Sequence, residues 1–376
     1  MRFPEFSGEW TKIKLGDLGS FFSGGTPSSS RKDFYGGEIP FIRSGELHSD
    51  STALSITKEA YDSCSAKMVN KGDLLLALYG ATSGDISISR ISGAINQAIL
   101  CIRPQYMDAY FIKSLWEKHK KHILETYLQG GQGNLSSEII KNISFFFPNS
   151  DEQVKISRLI HIIDDRIETQ SKIIEELTDL RSALIEKVFR VSNTTLEVGA
   201  IAHQTSERNK LCRYSNVLSV SNRFGFINQS EQFEDRNVAS DDVRNYKVVH
   251  RGDFAYNPAR INVGSIAMLK SFESGIVSPM YICFQVDDTI VDPSFFELFL
   301  ETKAFKDEME IRLEGSVRRC LSFEALCEIH LPLPALLVQR SISNKIGNIS
   351  AKIKLEDRIL RAYIRQKEWL LKQMFI

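Results

Sequence analysis

Residues 151–189 read "DEQVKISRLIHIIDDRIETQSKIIEELTDLRSALIEKVF", and the spacing of the apolar residues in this stretch decides the fold. From Ile156 to Val188, an apolar residue recurs after alternating steps of four and three positions, with two polar exceptions. This alternation is typical of the seam of a coiled coil. The pattern predicts one helix over 151–190, about 60 Å long at about 1.5 Å per residue.

The same pattern returns 186 positions later, at the end of the chain, and predicts a second helix over 336–376. The polar exceptions fall at equivalent places, with Gln170 matching Glu356 and Arg181 matching Lys367. Polar seam residues of this kind can set the register of a coiled coil at a cost in stability. The apolar seam positions are Ile156, Ile160, Ile163, Ile167, Ile174, Leu177, Leu184 and Val188, and then Ile342, Ile346, Ile349, Ile353, Leu360, Tyr363, Leu370 and Met374.

The two predicted helices differ in their start signals. Pro148 precedes the first helix, and Ser150 followed by Gln153 fits a capping box, in which the two side chains satisfy backbone N–H groups of the first turn. The second start, "PALLVQ" (334–339), lacks this signal.

Matches outside the helices show that the chain is a tandem duplicate. The stretch "KGDLLLALYGATSGDISI" (71–88) resembles "RGDFAYNPARINVGSIAM" (251–268), and the matches keep the same order in both halves. Repeats of this kind indicate one structural unit used twice. We divide the chain into a first globular domain (1–150), a first spacer helix (151–190), a second globular domain (191–335) and a second spacer helix (336–376).

Both globular domains mix strand and helix patterns, so the fold class is α+β. Short apolar runs predict strands at 73–80, 98–104, 144–148 and 280–286, and periodic segments predict helices at 108–128 and 292–313. A small domain cannot cover a stripe as long as either spacer helix. We therefore expect the two helices to pair as an antiparallel coiled coil related by a pseudo-twofold axis. In the alternative, each helix packs on its own domain.

Composition restricts the function only weakly. Lys plus Arg and Asp plus Glu are equal at 47 each, so net charge indicates no partner. There is no apolar run of membrane-spanning length, and "MRFPEFSGEW" (1–10) lacks the apolar core of a secretory signal. Six scattered cysteines form no CxxC pair. We expect a cytoplasmic protein with reduced thiols and no membrane association.

Familiar catalytic and metal-binding motifs are missing from the sequence. It has no GxGxxG opening a βα unit, no GxxxxGK[ST] phosphate loop and no HExxH. Asn257-Pro258 is followed by Ala259, so "YNPARI" (256–261) lacks the Asn-Pro-Pro box of amino-methyltransferases. His119 and His122 share a helix face but have no third ligand. We predict no catalytic residue and no metal ligand in this chain.

Glycine-bearing loops carry the residue types that read DNA bases. "QGGQGNLS" (129–136) and "EGSVRRCLS" (314–322) follow equivalent predicted helices. Arginine pairs bidentately with guanine, and Asn or Gln with adenine. These loops can equally be ordinary surface loops, and the arginines can form structural ion pairs. The DNA-binding candidates are Arg43, Ser44, Gln132, Asn134, Arg223, Asn257, Arg260, Arg318 and Arg319.

An ordered set of segments along nearly the whole chain resembles the specificity subunits of type I restriction–modification systems. In the first half these are "WTKIKLGDLGSFFSGGTPS" (10–28), "GEIPFIRSGEL" (37–47), "KGDLLLALYGATSGDI" (71–86), "INQAI" (95–99) and "LSSEIIKNISFFFPNSDEQVKISRLIHIIDDRIE" (135–168). In the second half they are "GDFAYNPARINVGSIA" (252–267), "GIVSPMYICF" (275–284) and "LSFEALCEIHLPLPALLVQ" (321–339).

The resemblance implies a non-catalytic DNA-binding subunit. Each globular domain would be a target-recognition domain that reads one half of a split site in double-stranded DNA. The helices would fix the gap between the half-sites. Two methyltransferase subunits would bind this chain and bring S-adenosylmethionine, and a restriction subunit using ATP and Mg²⁺ can also join. No cofactor would be bound by this chain.

A second hypothesis from another class is a structural adaptor. In that reading, a coiled coil joins two protein-binding domains that have no role in DNA recognition. Selection of a bipartite DNA sequence by the chain and its methyltransferase partner distinguishes the two hypotheses.

Overall fold

The computed structural model describes residues 2–128, 134–191, 194–222, 224–229, 242–315 and 319–375, and the chain divides into two compact units. Unit 1 comprises Met1–Lys172 with Arg358–Ile376, and unit 2 comprises Ile173–Asp357. Each unit therefore combines one globular part with a half of each long helix. The division proposed from the sequence separates helices from domains, whereas the compact units divide each long helix near its middle.

In its described residues, unit 1 contains ten strands and the helices that pack on them. Its helices are α1 (Lys58–Asp62), α2 (Ala109–Tyr127), α3 (Ser137–Asn142) and the start of α4 (Ser150–Val191). Its strands are β1 (Thr11–Lys14), β2 (Gly19–Ser23), β3 (Tyr35–Ile42), β4 (Ser55–Ile56), β5 (Lys67–Val69), β6 (Leu74–Ala77), β7 (Ile86–Ile88), β8 (Gly93–Ile95), β9 (Ile99–Pro104) and β10 (Ser144–Phe147).

Two four-stranded sheets and one strand pair organise these elements. The central sheet has the order β2-β9-β6-β7 and is antiparallel throughout. The second sheet has the order β4-β3-β8-β5, in which β3 and β8 run parallel. Strands β1 and β10 pair just before the start of α4.

Unit 2 repeats the central sheet of unit 1, with the order β12-β19-β16-β17, and the terminal pair, with β11 and β20. Its other strands form the pairs β13-β14 and β15-β18. The strands are β11 (Thr195–Glu197), β12 (Ala202–Thr205), β13 (Leu218–Ser221), β14 (Gly225–Asn228), β15 (Lys247–His250), β16 (Phe254–Tyr256), β17 (Ile266–Met268), β18 (Ser274–Val277), β19 (Ile282–Val286) and β20 (His330–Pro332). Its helices are α5 (Pro293–Leu300), α6 (Lys303–Arg312) and α7 (Phe323–Cys327), together with the last part of α4 and the first part of α8 (Leu336–Met374), whose end belongs to unit 1.

The fold class predicted from the sequence, α+β with a duplicated domain and two long helices, is confirmed by this repeated topology. The single helix predicted over 292–313 is wrong, because α5 ends at Leu300 and α6 starts at Lys303. The buried Thr302 causes the break, since its hydroxyl accepts a hydrogen bond from Phe305 N and starts a new helix.

The predicted capping box at Ser150 and Gln153 is also wrong. Asn149 caps α4, and its side-chain oxygen accepts a hydrogen bond from Glu152 N at 2.9 Å. Gln153 is 2% exposed and reaches backward, donating from Nε2 to Pro148 O at 2.9 Å.

Gln153 and its equivalent Gln339 join each long helix to the globular part of its unit. Gln153 Oε1 accepts a hydrogen bond from Asp108 N, the residue that caps α2, at 3.3 Å. Gln339 Oε1 accepts one from Asp292 N, the cap of α5, at 2.9 Å. The duplicated units thus share a buried amide contact that fixes the start of each long helix.

The long helices run antiparallel within each unit, as the sequence predicts. In unit 1, Ile160 and Ile163 of α4 share a core with Leu370 and Met374 of α8. In unit 2, Val188 packs against the core that contains Ile346. The early part of one helix therefore meets the late part of the other.

All sixteen predicted seam residues are at least half-buried. Fully buried among them are Ile156, Ile160, Ile163, Ile346, Leu370 and Met374. Half-buried are Ile167, Ile174, Leu177, Leu184, Val188, Ile342, Ile349, Ile353, Leu360 and Tyr363.

A turn containing Gly-Asp supports the central sheet in both units. Asp73 accepts a hydrogen bond from Asn70 N at 2.8 Å, and the intervening Gly72 has a φ of 98°. Such a positive φ favours glycine. Arg103 of β9 binds the same carboxylate, with its Nη2 2.6 Å from Asp73 Oδ2. The matching "KGD" and "RGD" segments of the sequence therefore mark a turn that supports the sheet.

Replacing Ile163 by Ala should destabilise unit 1 by about 2–5 kcal/mol, since a buried aliphatic side chain is lost and a cavity remains. Ile163 is 4% exposed, whereas the neighbouring Ile162 is 44% exposed and provides the matched control. All three tryptophans (Trp10, Trp116 and Trp369) lie in unit 1, so urea unfolding followed by tryptophan fluorescence reports on this unit. Equal loss in Ile162→Ala and Ile163→Ala would contradict the packing described.

The Asp73→Asn variant should lose stability in a pH-dependent way. Burial raises the pKa of Asp73, but the hydrogen bonds from Arg103 and from Asn70 N, together with the charge of Arg103, outweigh burial, so the pKa lies below its ordinary value. A carboxylate with a lowered pKa stabilises the fold above its unfolded pKa and loses this effect as pH falls through the folded pKa. The difference in free energy of unfolding between the original protein and the Asp73→Asn variant should be largest at neutral pH and should shrink below about pH 4. Urea unfolding followed by tryptophan fluorescence measures it, and the exposed Asp62→Asn variant is the control. A difference of constant size down to about pH 2 would contradict this prediction.

Candidate nucleic-acid interface

The described ends of the two glycine-bearing loops chosen from the sequence make equivalent contacts in the two units. Leu135 N donates a hydrogen bond to Leu78 O, in the loop after β6, at 2.8 Å. Leu321 N, 186 positions later, donates to Pro258 O, in the loop after β16, at 3.2 Å. Each unit therefore holds the end of its glycine-bearing loop against the loop after an equivalent strand, and the loop sequences differ between the units.

The second of these loops in unit 2 is closed by a backbone pair. Glu314 and Cys320 exchange hydrogen bonds at 3.0 and 2.8 Å. Arg319, just inside this closure, places Nη1 2.7 Å from Glu310 Oε2 and donates from Nη2 to Glu310 O at 2.7 Å. Arg319 is therefore already paired within the chain.

Asn257 shapes the neighbouring loop. It is 8% exposed, and its side-chain oxygen accepts a hydrogen bond from Ala259 N at 3.1 Å. Its side-chain nitrogen lies 3.7 Å from Met280 Sδ. Because the carboxamide oxygen is occupied, Asn257 holds the turn that presents the following residues.

Arg260 lies at the end of that turn and lines a cavity of about 310 Å³ in unit 2. Its side chain is exposed, and it makes no ion pair with any residue that the structure describes. Strand β13 and the residues before β19 supply the opposite walls. The cavity is lined by Leu218, Ser219, Val220, Ser221, Asn222, Gln229, Tyr246, Asn257, Arg260, Val263, Ser265, Ser278, Met280 and Tyr281.

Exposed apolar side chains accompany these polar groups. Met280 is 61% exposed and Val263 is 53% exposed. Exposed apolar residues beside polar groups are typical of interaction surfaces. Sequence reasoning missed both residues and also missed Asn222, although "SVSN" (219–222) stood out as a polar run beside Arg223.

In unit 1, Arg43 and Ser44 follow β3 and begin a single 3-10 turn (Ser44–Glu46). Ser44 is half-buried. The Arg43 guanidinium contacts the Glu46 carboxylate at 3.1 and 3.2 Å. Burial raises the pKa of Glu46, but hydrogen bonds led by that from Arg43 bring the net pKa below its ordinary value. Arg43 is thus paired, like Arg319.

The remaining candidates are placed incompletely. Gln132, Arg223 and Arg318 lie outside the described residues. Asn134 is exposed and adjoins Leu135, the docking residue of its loop.

The arrangement suits anion and base-edge binding more than catalysis. Exposed ion pairs such as Arg43–Glu46 contribute about 0–1 kcal/mol, so the arginine can exchange its carboxylate for a phosphate at little cost. The planar guanidinium group of arginine can form two parallel hydrogen bonds with either a carboxylate or a phosphate. Among the described residues, no group of three or more His, Cys, Asp or Glu side chains could hold a metal ion.

None of the helices described combines the length and the apolar character needed to cross a membrane.

Comparison with known proteins relates this geometry to one family. A family model for the type I restriction modification DNA specificity domain matches residues 7–179. The MjaVIII type I restriction enzyme specificity subunit of Methanocaldococcus jannaschii is 24% identical, over 95% of this chain and 89% of that protein. The MjaIX specificity subunit of the same organism is 28% identical over 48% of this chain, and the aligned region spans only 44% of that subunit.

A solved structure has the same fold from end to end. The type I restriction-modification system S subunit from M. genitalium superposes with a TM-score of 0.64 and 16% identity, covering 100% of this chain and 99% of that one. At this identity the likeness concerns the fold alone.

Proposed function

We propose that this chain, which resembles type I restriction–modification specificity subunits in sequence, selects the DNA sequence on which a methyltransferase complex acts. Each globular domain reads one half of a bipartite site in double-stranded DNA. The chain itself performs no chemistry.

The paired loops carry this proposal. The same backbone hydrogen bond, at Leu135 and at Leu321, holds equivalent loops in the two units. The loop residues next to these anchors differ: Gln132 and Asn134 in one unit, Arg318 and Arg319 in the other. A common scaffold with different side chains is what two domains reading different bases require, since Asn or Gln suits adenine and Arg suits guanine.

The cavity beside Arg260 supports reading by unit 2. Arg260, which forms an ion pair with no described residue, the amide of Asn222 and the exposed Met280 lie around one opening. These are the donor, amide and apolar groups that contact guanine, adenine and the thymine methyl group. Arg43 and Arg319, already paired with carboxylates, suit phosphate contacts that orient the domain without specifying sequence.

The long helices support a fixed separation of the two half-sites. Helix α4 has 42 residues and α8 has 39, about 60 Å each at about 1.5 Å per residue. Half-sites on one face of B-DNA lie about 34–36 Å apart or at multiples of that distance. Helices of this length can therefore hold two reading domains at such a spacing.

Two methyltransferase subunits complete the proposed complex and bring S-adenosylmethionine. A restriction subunit with ATP and Mg²⁺ can join them. The target adenine has to leave the base stack, so the methyltransferase must reach the extruded base beside each recognition domain. The complex would act on DNA in the cytoplasm.

Replacing Arg260 by Ala should relax recognition at one base pair of one half-site, by about 1–3 kcal/mol, because a bidentate base contact is lost. Selection from a randomised DNA library, with the methyltransferase subunits present, measures this change. Lys345→Ala, an exposed cation on α8, is the matched control. Uniform weakening for all sequences, with a lower salt slope, would assign Arg260 to a phosphate instead.

Inserting one heptad after Lys172 and one after Asp357 should lengthen the spacer of the recognised site and leave both half-sites unchanged. Seven residues keep the four–three alternation in both helices and add about 10 Å, the length of about three base pairs. Library selection with variable spacers is the measurement. An unaltered spacer would remove the role of the helices as a ruler.

A further inference from the structure

The two basic exceptions in the seam, Lys367 and Arg181, occupy equivalent positions in the two repeats, 186 residues apart. In unit 1, Lys367 Nζ lies 2.7 Å from Glu117 Oε2 and 2.8 Å from Asp164 Oδ1. Its side chain is 18% exposed. Lys367 of α8 therefore contacts both α2 and α4.

Arg181 makes the corresponding contacts in unit 2. Its guanidinium binds Glu301 bidentately, at 2.6 and 2.7 Å. Its Nε donates to Ser350 Oγ at 2.8 Å. Glu301 caps the end of α5, and Ser350 lies on α8. Each basic residue thus joins its own long helix, the other long helix and a helix of the globular part.

The partners on the opposite helix, Asp164 and Ser350, are also 186 positions apart. They differ because the charges around them differ. In unit 1 a second cation, Lys113, lies 2.9 Å from Asp164 and 3.0 Å from Glu117, so two cations face two carboxylates. In unit 2, Arg181 faces Glu301 and the neutral hydroxyl of Ser350, and Glu297, the other carboxylate that acts on Arg181, is paired with Lys270. Both clusters are therefore balanced in charge.

Because the paired charges are partly buried, their interaction energy depends strongly on the distances between them. Burial lowers the pKa of Lys367, but Glu117 and Asp164 raise it to a net value above its ordinary one. Burial raises the pKa of Asp164, and Lys113 and Lys367 more than offset this. Both groups remain ionised at neutral pH. Moving the globular part on the helices would separate desolvated charges, which is strongly unfavourable.

We propose that Lys367 and Arg181 are positioning residues that fix the angle of each globular part on its pair of helices, and so determine how strictly the complex selects one spacer length. The inference rests on the proposed function. Glu117 belongs to α2 and Glu301 ends α5, so a change in these contacts changes how each globular part is oriented on its helices.

The test uses the full chain assembled with its methyltransferase subunits and a DNA library that keeps the half-sites and varies the spacer. The variants are Lys367→Met and Arg181→Met. The controls are Lys372→Met and Arg190→Met, exposed cations on the same two helices. Lys367→Arg and Arg181→Lys test rescue by a retained charge. Tryptophan fluorescence and circular dichroism establish that each variant is folded.

We expect each Met variant to select the same half-sites and to lose about tenfold of the preference for the native spacer over its neighbours. Lys367→Arg should retain most of that preference. Arg181→Lys should retain less, since one ammonium cannot reproduce the bidentate contact with Glu301. A spacer preference as sharp as that of the original protein would overturn the proposal.

A folding defect does not block the test. If Lys367→Met does not fold, Glu117→Gln keeps the Lys367–Asp164 pair and weakens the contacts of Glu117 with Lys367 and Lys113. The proposal then predicts a weaker preference for the native spacer in Glu117→Gln, and an unchanged preference overturns it. If the original chain enriches no bipartite site at all, the proposed function fails, and that result is distinct from a sharp preference in the variants.

Discussion

A long apolar stripe on each of two helices is the constraint on which the rest of the structure depends. Neither globular part is large enough to cover such a stripe alone, and exposing it to water would be costly. Each unit resolves this by combining one globular part with halves of both helices. Ile160 thus shares a core with Leu370, and Ile185 shares one with Ile346. The antiparallel direction follows, because the chain passes from α4 directly into the second globular part.

The duplicated units preserve buried polar contacts more faithfully than surface residues. Gln153 and Gln339 make the same amide contacts with the caps of α2 and α5. A buried amide without partners is unfavourable, so each replacement would be penalised. The loops beside Leu135 and Leu321 do not have to satisfy a buried amide, and the residues at their equivalent positions differ. This division between a fixed frame and variable loops suits the proposed recognition of two different half-sites.

The sequence indicated which loops are equivalent in the two units, but not which of their arginines are paired with carboxylates. The internal repeat made the two loops equivalent in sequence. The structure shows equivalent backbone hydrogen bonds at Leu135 and Leu321. Residue type alone placed Arg43, Arg260 and Arg319 in one class. The structure separates them, since Arg43 and Arg319 pair with carboxylates from nearby residues whereas Arg260 borders an open cavity. Such pairings depend on distances of a few ångströms, which sequence spacing does not report.

Local periodicity and repetition were enough to determine the fold class, the two long helices and the duplication, because these features depend on spacing along the chain. Sequence also marked Arg181 and Lys367 as matched exceptions in an apolar seam. Only the tertiary structure decided what they do. Lys367 meets Glu117 across 250 residues of chain, and this contact exists because β-sheet, α2 and both long helices converge in one unit. Likewise, Thr302 divides a segment with continuous helical periodicity, because a buried hydroxyl that caps a new helix stabilises the break more than local propensity opposes it.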